Sequence, residues 1–213
     1  MKDIPLFTTP YGVASLSMRE IPYRKAAYIQ ILSCDSVTEL VEECVSFCRA
    51  CGAEYVYAKG HEDLERYPLY TQIWRMCADR SGLIGDTALL YPVVPENVDH
   101  WRDIYNERMS DVPCAAYMTA KDSTELCNSG EGYYIHKDGK LLGIGRIAGN
   151  CIRVIVSVQK CSGEIILATL AELTEDPSIV VEVSADNIPA MKLYRKMGFI
   201  KTSEIARWHK VFG

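Results

Sequence analysis

Long apolar runs are missing from this 213-residue sequence. No stretch approaches the roughly 18 uninterrupted apolar residues that a transmembrane helix needs. The first residues, MKDIPLFTTP, carry Asp3 and Pro5 where a secretory signal would need an apolar run. We therefore expect a soluble, cytoplasmic protein without a membrane partner.

Dense basic runs are missing as well, and the formal net charge is -5. Nucleic-acid surfaces concentrate positive charge to match the phosphate backbone, so no nucleic-acid partner is expected. A local loop is still able to bind an anionic cofactor. The composition, with 48% apolar and 24% charged residues, is that of an ordinary globular protein, long enough for one full core or two small ones.

Metal-ligand spacing is incomplete. The sequence has nine cysteines, among them Cys44 and the pair Cys48 and Cys51, which forms a CxxC. It has no second CxxC and no histidine at ligand spacing, so we predict no metal site. The cysteines are expected to be reduced thiols. Two interpretations stay open for them: redox or metal chemistry, or, because Cys44 and Cys48 are spaced for one helix face, small apolar core residues.

The first part of the chain contains no glycine-rich phosphate loop. Residues 1–20 are interpreted as a loop. The apolar pattern then predicts a strand at 25–33, a helix at 36–51, a strand at 53–58 and a helix at 69–78. Strands that alternate with helices indicate an α/β layer arrangement.

The second part of the chain has a different predicted order. A strand is followed by two helices, three strands and another helix. Glycine-containing turns between the three strands indicate antiparallel hairpins. In chain order, the predicted ranges are 87–94, 95–109, 118–126, 132–136, 141–147, 151–158 and 164–173.

The stretch from Val180 to Phe199 has the clearest local pattern. Val181 and Val183 alternate with polar residues, as in a strand. Pro189 suits the first turn of a helix, where its missing N–H would be unpaired anyway. Gly198 ends the helix, because glycine adopts the left-handed conformation at low cost. The stretch is thus predicted as a strand, a turn and a short helix.

The end of this stretch carries a spaced motif. It reads Asn187-x-x-Ala190-x-x-Leu193-Tyr194-x-x-Met197-Gly198-Phe199. Together with the order of elements before it, the motif resembles the C-terminal half of the GCN5-related N-acetyltransferase (GNAT) fold. The resemblance implies an α/β fold with a mixed, mostly antiparallel central sheet and flanking helices. We predict a GNAT acetyltransferase domain at 85–213 and an N-terminal α/β segment at 1–84.

The N-terminal segment has two interpretations. Its strand–helix–strand–helix order matches the elements predicted at 151–158, 164–173, 179–184 and 189–197, which favours a truncated repeat of the same GNAT-like plan. Alternatively, it is an unrelated α/β extension that covers one edge of the sheet. Sequence identity between the two parts is weak, so the choice stays open.

The resemblance implies an acyl-CoA-dependent N-acyltransferase, with acetyl-CoA as the co-substrate that donates an acetyl group to an amine. The acceptors it implies are a small-molecule amine, a protein N-terminus or a lysine side chain. The alternative is a non-catalytic GNAT-like module that binds an acyl-CoA or a protein partner. The sequence does not determine the oligomeric state, and a homodimer is one of the states compatible with it.

Tyr194 resembles the tyrosine that protonates the leaving thiolate in many members of this family. A phenol, with a pKa near ~10, is close enough to a thiol near ~8.5 for that task. Alternatively, Tyr194 packs in the core with its hydroxyl on a partner. Glu182 and Glu131 are the candidates for the general base, and an exposed strand carboxylate is the competing interpretation for both.

The resembled family holds the pyrophosphate of coenzyme A in a loop of pattern Gln/Arg-x-x-Gly-x-Gly/Ala. Such a loop precedes a helix, whose N–H groups and dipole attract anions. Here the loop follows strand 151–158, but a glycine is missing. One alignment gives Lys160-x-x-Gly163-x-Ile165, and the other starts at Gln159 with Ser162 and Glu164 at the glycine positions. Glu164 also places a negative charge where phosphates would lie.

A set of residues in the strand, the loop and the later turn is expected to contact coenzyme A, as the resemblance implies. Asn187 corresponds to the asparagine that contacts the pantetheine arm; alternatively, it caps the helix, and both roles are compatible. The expected contacts are Val156, Val158, Lys160, Ser162, Gly163, Glu164 and Asn187.

Overall fold

The computed structural model describes residues 3–83 and 85–213, which form eleven strands, six α-helices and two short 3₁₀-helices (Glu62–Arg66 and Arg80–Gly82). The strands are β1 (Ile4–Thr9), β2 (Gly12–Ser17), β3 (Ala26–Cys34), β4 (Tyr55–Lys59), β5 (Leu69–Asp79), β6 (Leu89–Pro92), β7 (Gly132–Lys137), β8 (Lys140–Ala148), β9 (Cys151–Ser157), β10 (Ser178–Ser184) and β11 (Ile200–Phe212). The helices are α1 (Ile21–Arg24), α2 (Val37–Ala50), α3 (Val98–Arg108), α4 (Ala120–Ser129), α5 (Gly163–Ala171) and α6 (Ile188–Lys196). Strand pairing is mixed and mostly antiparallel, with flanking helices, so the predicted α/β class is confirmed.

The chain divides into two compact units. The first contains the described residues up to Ile73 and also Ile205–Gly213. The second is Trp74–Glu204. The predicted domain division between residues 84 and 85 stays a prediction, and Ile84 itself lies outside the described residues.

None of the helices in residues 3–83 and 85–213 has the length and apolarity of a membrane span. The longest of these helices, α2, has 14 residues. This corresponds to about 21 Å, against roughly 30 Å for the hydrocarbon core of a bilayer. The cytoplasmic location expected from the sequence stays a prediction.

In the first unit, β1, β2 and β3 are antiparallel neighbours, and α2 connects β3 to the parallel strand β4. The end of β11 pairs antiparallel with β4. Helix α2 packs an apolar face into the core of this unit, including Cys44 and Cys48, which are fully buried. Burial raises the pKa of both thiols to about 12. The interpretation of these two cysteines as apolar core residues is confirmed.

The predicted helix at 69–78 is wrong, because these residues belong to strand β5. The spacing of apolar residues in this stretch fits a helix or a strand. Its content of Thr71, Ile73 and Trp74, which are β-branched or aromatic, favours a strand.

The interpretation of residues 1–20 as a loop is also wrong, because they contain β1 and β2. These strands are joined by a tight turn at Pro10 and Tyr11, and Gly12, which begins β2, has a φ of 149°. A Cβ at Gly12 would lie 2.4 Å from the carbonyl oxygen of Ser33 on β3. Glycine therefore permits the close approach of β2 to β3, and it marks a turn between strands here.

In the second unit, β6, β7, β8 and β9 are antiparallel neighbours, and α5 connects β9 to the parallel strand β10. Tyr134 and Ile135 are consecutive residues of β7 but belong to different apolar clusters, so the sheet has a core on each face. Helices α5 and α6 cover one face, and α3 and α4 cover the other. The predicted ranges of β7 to β10, α5 and α6 are confirmed to within two residues.

Candidate functional site

Strands β9 and β10 begin as parallel neighbours and then separate. Residues 151 and 152 of β9 pair with residues 180 and 181 of β10, and the register ends there, although β9 continues to Ser157. Among the described strands, the other neighbour of β9 is β8. Residues 153–157 of β9 therefore have one edge whose backbone N–H and C=O groups are open to a ligand.

The corresponding parallel pair of the first unit behaves differently. Strands β3 and β4 pair at five consecutive positions, from Ala26 with Tyr55 to Gln30 with Lys59. The register is continuous over these residues, so β3 and β4 leave no such open edge between them. The separation of β9 and β10 is thus a feature of the second unit.

A cavity of about 610 Å³ is lined by residues from the open part of β9. Its wall also includes the loop after β9, the start of α5, helix α6 and the end of α3. Strand β9, the loop and α5 contribute Ile155, Val156, Ser157, Cys161, Gly163 and Glu164. The cavity therefore connects the strand edge to the N-terminus of a helix.

The start of α5 is held in place by Ser162 and Gly163. Ser162 is buried, and its hydroxyl lies 3.0 Å from the carbonyl oxygen of Leu142 and 2.8 Å from that of Gln159. A Cβ at Gly163 would lie 3.0 Å from Cδ2 of Leu193, so glycine allows α5 to approach α6 closely. The backbone N–H of Ile166 donates to the carbonyl of Ser162. The helix N–H groups that precede Ile166 have no acceptor within the helix. This end of α5 is suited to an anion.

The wall of the cavity carries more positive than negative charge. Arg108, Lys192 and Lys196 contribute cations, and Glu164 contributes the carboxylate among the wall residues. The Glu164 carboxylate forms an ion pair with the ammonium group of Lys196. The negative charge in the first turn of α5 is therefore neutralised by a neighbouring helix, and Arg108 and Lys192 add positive charge to an otherwise acidic chain.

Tyr194 lines the cavity with a buried ring, and only 7% of the residue is exposed. The ring packs against Phe199, with centroids 5.5 Å apart. The hydroxyl forms no hydrogen bond with another described residue. Every fully buried side-chain oxygen or nitrogen of the described residues, by contrast, has a hydrogen-bond partner. The hydroxyl is therefore not completely enclosed. Burial, with a smaller contribution from the Cys151 thiol, raises the pKa of Tyr194 well above its ordinary value, so the phenol stays protonated.

Asn187 lies at the N-terminus of α6 and lines the cavity. Its side-chain oxygen accepts a hydrogen bond from the backbone N–H of Ala190 at 3.2 Å. The cap interpretation is confirmed. The side-chain NH₂ group remains available as a donor, and the expected contact with the pantetheine arm stays a prediction.

The remaining expected contacts of coenzyme A are distributed unevenly. Val156, Gly163 and Glu164 lie in the wall of the cavity. Val158, Lys160 and Ser162 are not among the described wall residues. The backbone N–H of Val158 donates to the carbonyl of Leu142 at 2.8 Å, and Lys160 is exposed in the loop. Because the Ser162 hydroxyl is already used within the protein, only its backbone is left for a ligand.

Both candidates for the general base form ion pairs. Glu182 has Oε1 2.8 Å from Nη2 of Arg75 and Oε2 3.5 Å from Nη1 of Arg153. Glu131 has Oε2 2.7 Å from Nη2 of Arg146. Neither glutamate is among the described residues that line the cavity. This placement does not support a general-base role for Glu182, and we assign no catalytic role to it.

The structure adds wall residues that sequence reasoning missed. Lys192 and Lys196 lie four residues apart on α6, a spacing that places both on one helix face and was readable from the motif. Cys161 lay within the predicted loop but was not singled out. Arg108 comes from the end of α3, far away in the sequence, and only the folded chain brings it to the cavity.

Solved structures similar to the chain share its fold. A putative acetyltransferase from Pyrococcus horikoshii is 13% identical, with a TM-score of 0.62 over 96% of this chain and 70% of that one. A conserved protein of unknown function from Staphylococcus epidermidis is 9% identical, with a TM-score of 0.60 over 96% of this chain and 91% of that one. A tandem GNAT protein from the clavulanic acid biosynthesis pathway is 11% identical, with a TM-score of 0.52 over 94% of this chain and 79% of that one.

Other matching structures are GNAT-family acetyltransferases. No protein-family model matches the sequence, and no curated protein matches it. At identities this low the likeness shows the fold alone. The chain has a GNAT-like fold.

Proposed function

We propose that the chain is an acyl-CoA-dependent N-acyltransferase that transfers an acetyl group from acetyl-CoA to an amine. The observation that carries the proposal is Tyr194, which lies in the wall of the cavity beside the open edge of β9 and whose hydroxyl forms no hydrogen bond with another described residue. A proton donor in such a cavity suits a reaction in which a thiolate leaves.

The cavity fits the chemistry of coenzyme A at both ends. The amide groups of the pantetheine arm need backbone partners, which the open edge of residues 153–157 supplies. The pyrophosphate needs N–H donors and positive charge, which the start of α5, Arg108 and Lys192 supply. The side-chain NH₂ of Asn187 adds a donor in the cavity wall. The cytoplasm remains the proposed location.

The departure of the loop from the family pattern is compatible with donor binding. The Glu164 carboxylate is paired with the ammonium group of Lys196, so its negative charge is compensated and repels a bound phosphate less. Cys161 has a φ of 61°, so the loop reaches the left-handed conformation without a glycine there. Gly163 retains the close contact with Leu193. We propose that the loop still holds the pyrophosphate, through its backbone.

The reaction has three requirements. The acceptor must be a neutral amine, whose nitrogen attacks the thioester carbonyl and forms a tetrahedral oxyanion. An N–H group must stabilise that oxyanion, and the open edge of β9 offers such donors. The carbon–sulfur bond then breaks, and Tyr194 donates its proton to the leaving thiolate. Holding donor and acceptor together contributes several kcal/mol.

The first unit is proposed to be a truncated repeat that binds no acyl-CoA. Apart from the one-turn helix α1 between β2 and β3, its order β1-β2-β3-α2-β4 repeats the order β7-β8-β9-α5-β10, with antiparallel neighbours first and a parallel pair across the helix. A tandem GNAT protein among the similar structures supports this proposal. Since β3 and β4 stay paired over five positions, the gap that would admit a donor is closed in this unit.

A second candidate function is a non-catalytic module that binds acyl-CoA. It is favoured by one observation: the carboxylates of Glu182 and Glu131 are both engaged with arginines, so neither serves as a free base. The acyltransferase does not require a carboxylate base if the acceptor amine is already neutral or loses its proton to water. The two functions therefore differ in turnover and not in donor binding.

Calorimetric titration followed by a turnover assay separates these functions. Acetyl-CoA and desulfo-CoA are titrated into the full chain, and release of coenzyme A thiol is then followed over a panel of small amines, peptide N-termini and lysine peptides. The acyltransferase predicts binding of both ligands and amine-dependent thiol release. Binding without release would favour the module, and no binding at millimolar ligand would overturn both.

A further inference from the structure

Arg75 and Arg153 share one carboxylate at the point where β9 and β10 separate. Both guanidinium groups contact Glu182 on β10, at 2.8 Å from Arg75 on β5 and at 3.5 Å from Arg153 on β9. Within residues 3–83 and 85–213, neither arginine has a second carboxylate partner. Two guanidinium groups and one carboxylate therefore leave this arginine pair (Arg75 and Arg153) with a net positive charge.

The arginine pair lies on the face of the sheet opposite to α5 and α6. Glu182 alternates with Val181 and Val183, which pack in the core under these helices. Arg75 likewise precedes Met76 of the same core. Each arginine side chain is 49% exposed, and its ion pair uses one of the five N–H donors of a guanidinium group. The remaining donors are therefore available to a ligand.

The groups around the arginine pair do not cancel its charge. Cys151 lies close enough for the charges of both arginines to act on it, and burial raises the pKa of its thiol, so the thiol stays neutral. On the neighbouring strand β8, Arg146 is already paired with Glu131 at 2.7 Å. The chain as a whole carries a formal charge of -5. A local excess of positive charge in such a chain favours an anionic ligand at this place.

The direction of β9 places the arginine pair relative to the donor. In the proposed function the pyrophosphate lies at the start of α5, after β9 has ended, and the pantetheine arm runs back along residues 157 to 153. The sulfur at the far end of the arm then lies toward residue 153, where the gap begins. Arg153 precedes Ile155, the first residue of β9 in the described cavity wall, by two positions or about 7 Å. The arginine pair is therefore near the acyl end of the donor and away from its phosphates.

We propose that the arginine pair binds the acceptor, and that the acceptor is an amine that also carries a carboxylate. The proposal rests on the proposed acetyl transfer from acetyl-CoA. The planar guanidinium groups of Arg75 and Arg153 match the geometry of a carboxylate, with which they form charge-assisted hydrogen bonds. An acceptor held there by its carboxylate presents its amine to the thioester at the start of the gap.

The positive charge of the arginine pair also favours the reactive form of the amine. A nearby cation disfavours an ammonium group and lowers its pKa. The amine then becomes neutral without a carboxylate base, which agrees with the engagement of Glu131 and Glu182 in ion pairs. Overall, the amide C–N bond forms, the thioester C–S bond breaks, coenzyme A leaves as a thiol, and one proton is released to water for each ammonium consumed.

The first test compares acceptors that differ only in the carboxylate. A set of α-amino acids, β-alanine and 4-aminobutyrate are each assayed beside their carboxamides with the full chain and acetyl-CoA. Values of kcat/KM are expressed per neutral amine, because the carboxylate changes the pKa of the amine. We expect at least one acid to be preferred over its carboxamide about tenfold or more at low salt. Added salt should reduce this preference, because screening weakens the attraction.

A binding measurement gives the same comparison without turnover. The full chain is saturated with desulfo-CoA, and the preferred acid and its carboxamide are titrated into this complex by calorimetry. The acid should bind about tenfold more tightly than the carboxamide.

Matched variants assign the preference to the arginine pair. Arg75→Gln and Arg153→Gln should each lower the acid-to-carboxamide ratio of kcat/KM about tenfold, mainly through KM for the acid. The Kd for acetyl-CoA, measured in the same variants, reports whether the donor site is still folded. Arg66→Gln, at an arginine of similar exposure (48%) in the first unit, should keep the ratio of the natural chain.

The outcomes that overturn the inference differ from those that overturn the proposed function. Carboxamides that are acetylated as efficiently as every acid would overturn the inference, and so would an unchanged ratio in both Arg75→Gln and Arg153→Gln. In these cases acetyl transfer continues, and the proposed function stands. If acetyl-CoA is bound but no amine of any kind is acetylated, the proposed transfer itself fails, and the inference fails with it.

Discussion

Arg153 on β9 and Glu182 on β10 form an ion pair where the two strands separate, with Nη1 and Oε2 3.5 Å apart. The backbone register ends one residue earlier, at Ile152 with Val181. Side chains therefore continue the contact between the strands after the backbone pairing has stopped. Glu182 also accepts a hydrogen bond from Nη2 of Arg75 at 2.8 Å. The carboxylate thus links side chains of three strands at the start of the gap.

Glu182→Gln tests whether this carboxylate is structural. We expect the variant to retain most of its acetyl transfer, because Glu182 lies outside the described cavity wall. The free energy of unfolding should fall by about 1 kcal/mol or less, since the arginines are half-exposed. Steady-state kinetics and urea unfolding give the two quantities. Glu125→Gln, at an exposed ion pair on α4, is the matched control. A hundredfold loss of kcat with unchanged donor affinity would instead make Glu182 the base.

Tyr194→Phe tests the proton donor. The substitution keeps the ring that packs on Phe199 and removes the hydroxyl. We expect kcat to fall about a hundredfold, with the Kd for acetyl-CoA unchanged. Tyr91→Phe, at a residue 50% exposed and outside the cavity wall, should behave like the natural chain. Equal kcat values for Tyr194→Phe and the natural chain would assign Tyr194 to packing alone.

The same burial has a consequence for the pH dependence of catalysis. Because burial raises the pKa of Tyr194 above its ordinary value, the phenol remains protonated throughout the range in which amines become neutral. Activity should therefore rise with pH as the acceptor loses its proton and should not decline below about pH 10. A kcat profile that falls between pH 7 and 9 in the natural chain, but not in Tyr194→Phe, would contradict this expectation.

Alkaline pH should destabilise the first unit through Cys44 and Cys48. Burial raises the pKa of each thiol from 9.0 to about 12. The unfolded chain therefore binds fewer protons than the folded chain between these values, and stability is lost as pH rises. Each cysteine should contribute a slope of up to about 1.4 kcal/mol per pH unit. Urea unfolding with reductant at pH 8 and pH 10 measures it. Cys44→Ala with Cys48→Ala should flatten the dependence, whereas Cys161→Ala, at an exposed thiol, should not. An unchanged slope in the double variant would refute the assignment.

Gly143→Ala should destabilise the sheet next to the cavity. A Cβ at this position would lie 2.1 Å from the carbonyl oxygen of Val156 and 2.6 Å from Cδ1 of Ile166. The backbone of β9 would have to move, at a cost of about 3 kcal/mol. Gly82→Ala, which meets nothing within 4 Å, should leave the free energy of unfolding nearly unchanged. Equal melting temperatures for the two variants would show that β8 and β9 adjust freely.

Elements with strong local signals could be predicted from the sequence. The limits of α6 follow from Pro189 near its start and Gly198 after its end, and both act within one turn of the helix. The hairpin between β7 and β8 follows from Asp138 and Gly139, which both have positive φ. By contrast, the apolar spacing of β5 fits both the helical and the strand period. Its conformation is set by neighbours that are distant in the sequence. Its assignment required the folded chain.

Some residues of the candidate site could likewise be predicted from a local pattern, and others could not. Tyr194, Asn187 and Gly163 were predicted because one motif and one loop contain them. Arg108 reaches the cavity only through the packing of α3. The ion pairs of Glu182 with Arg75 and Arg153 join strands from distant parts of the sequence, so no local pattern indicates that the carboxylate is engaged.

Hydrogen exchange with and without acetyl-CoA tests most directly whether the gap beside β9 holds the donor. We predict that saturating acetyl-CoA slows exchange of the amides in residues 153–157 of β9 and 161–165 at the start of α5. Amides of β3 and β4, which are already paired across their register, should not change. Donor binding at this gap would be contradicted if saturating acetyl-CoA protected neither residues 153–157 nor residues 161–165. Protection confined to the first unit would contradict it as well.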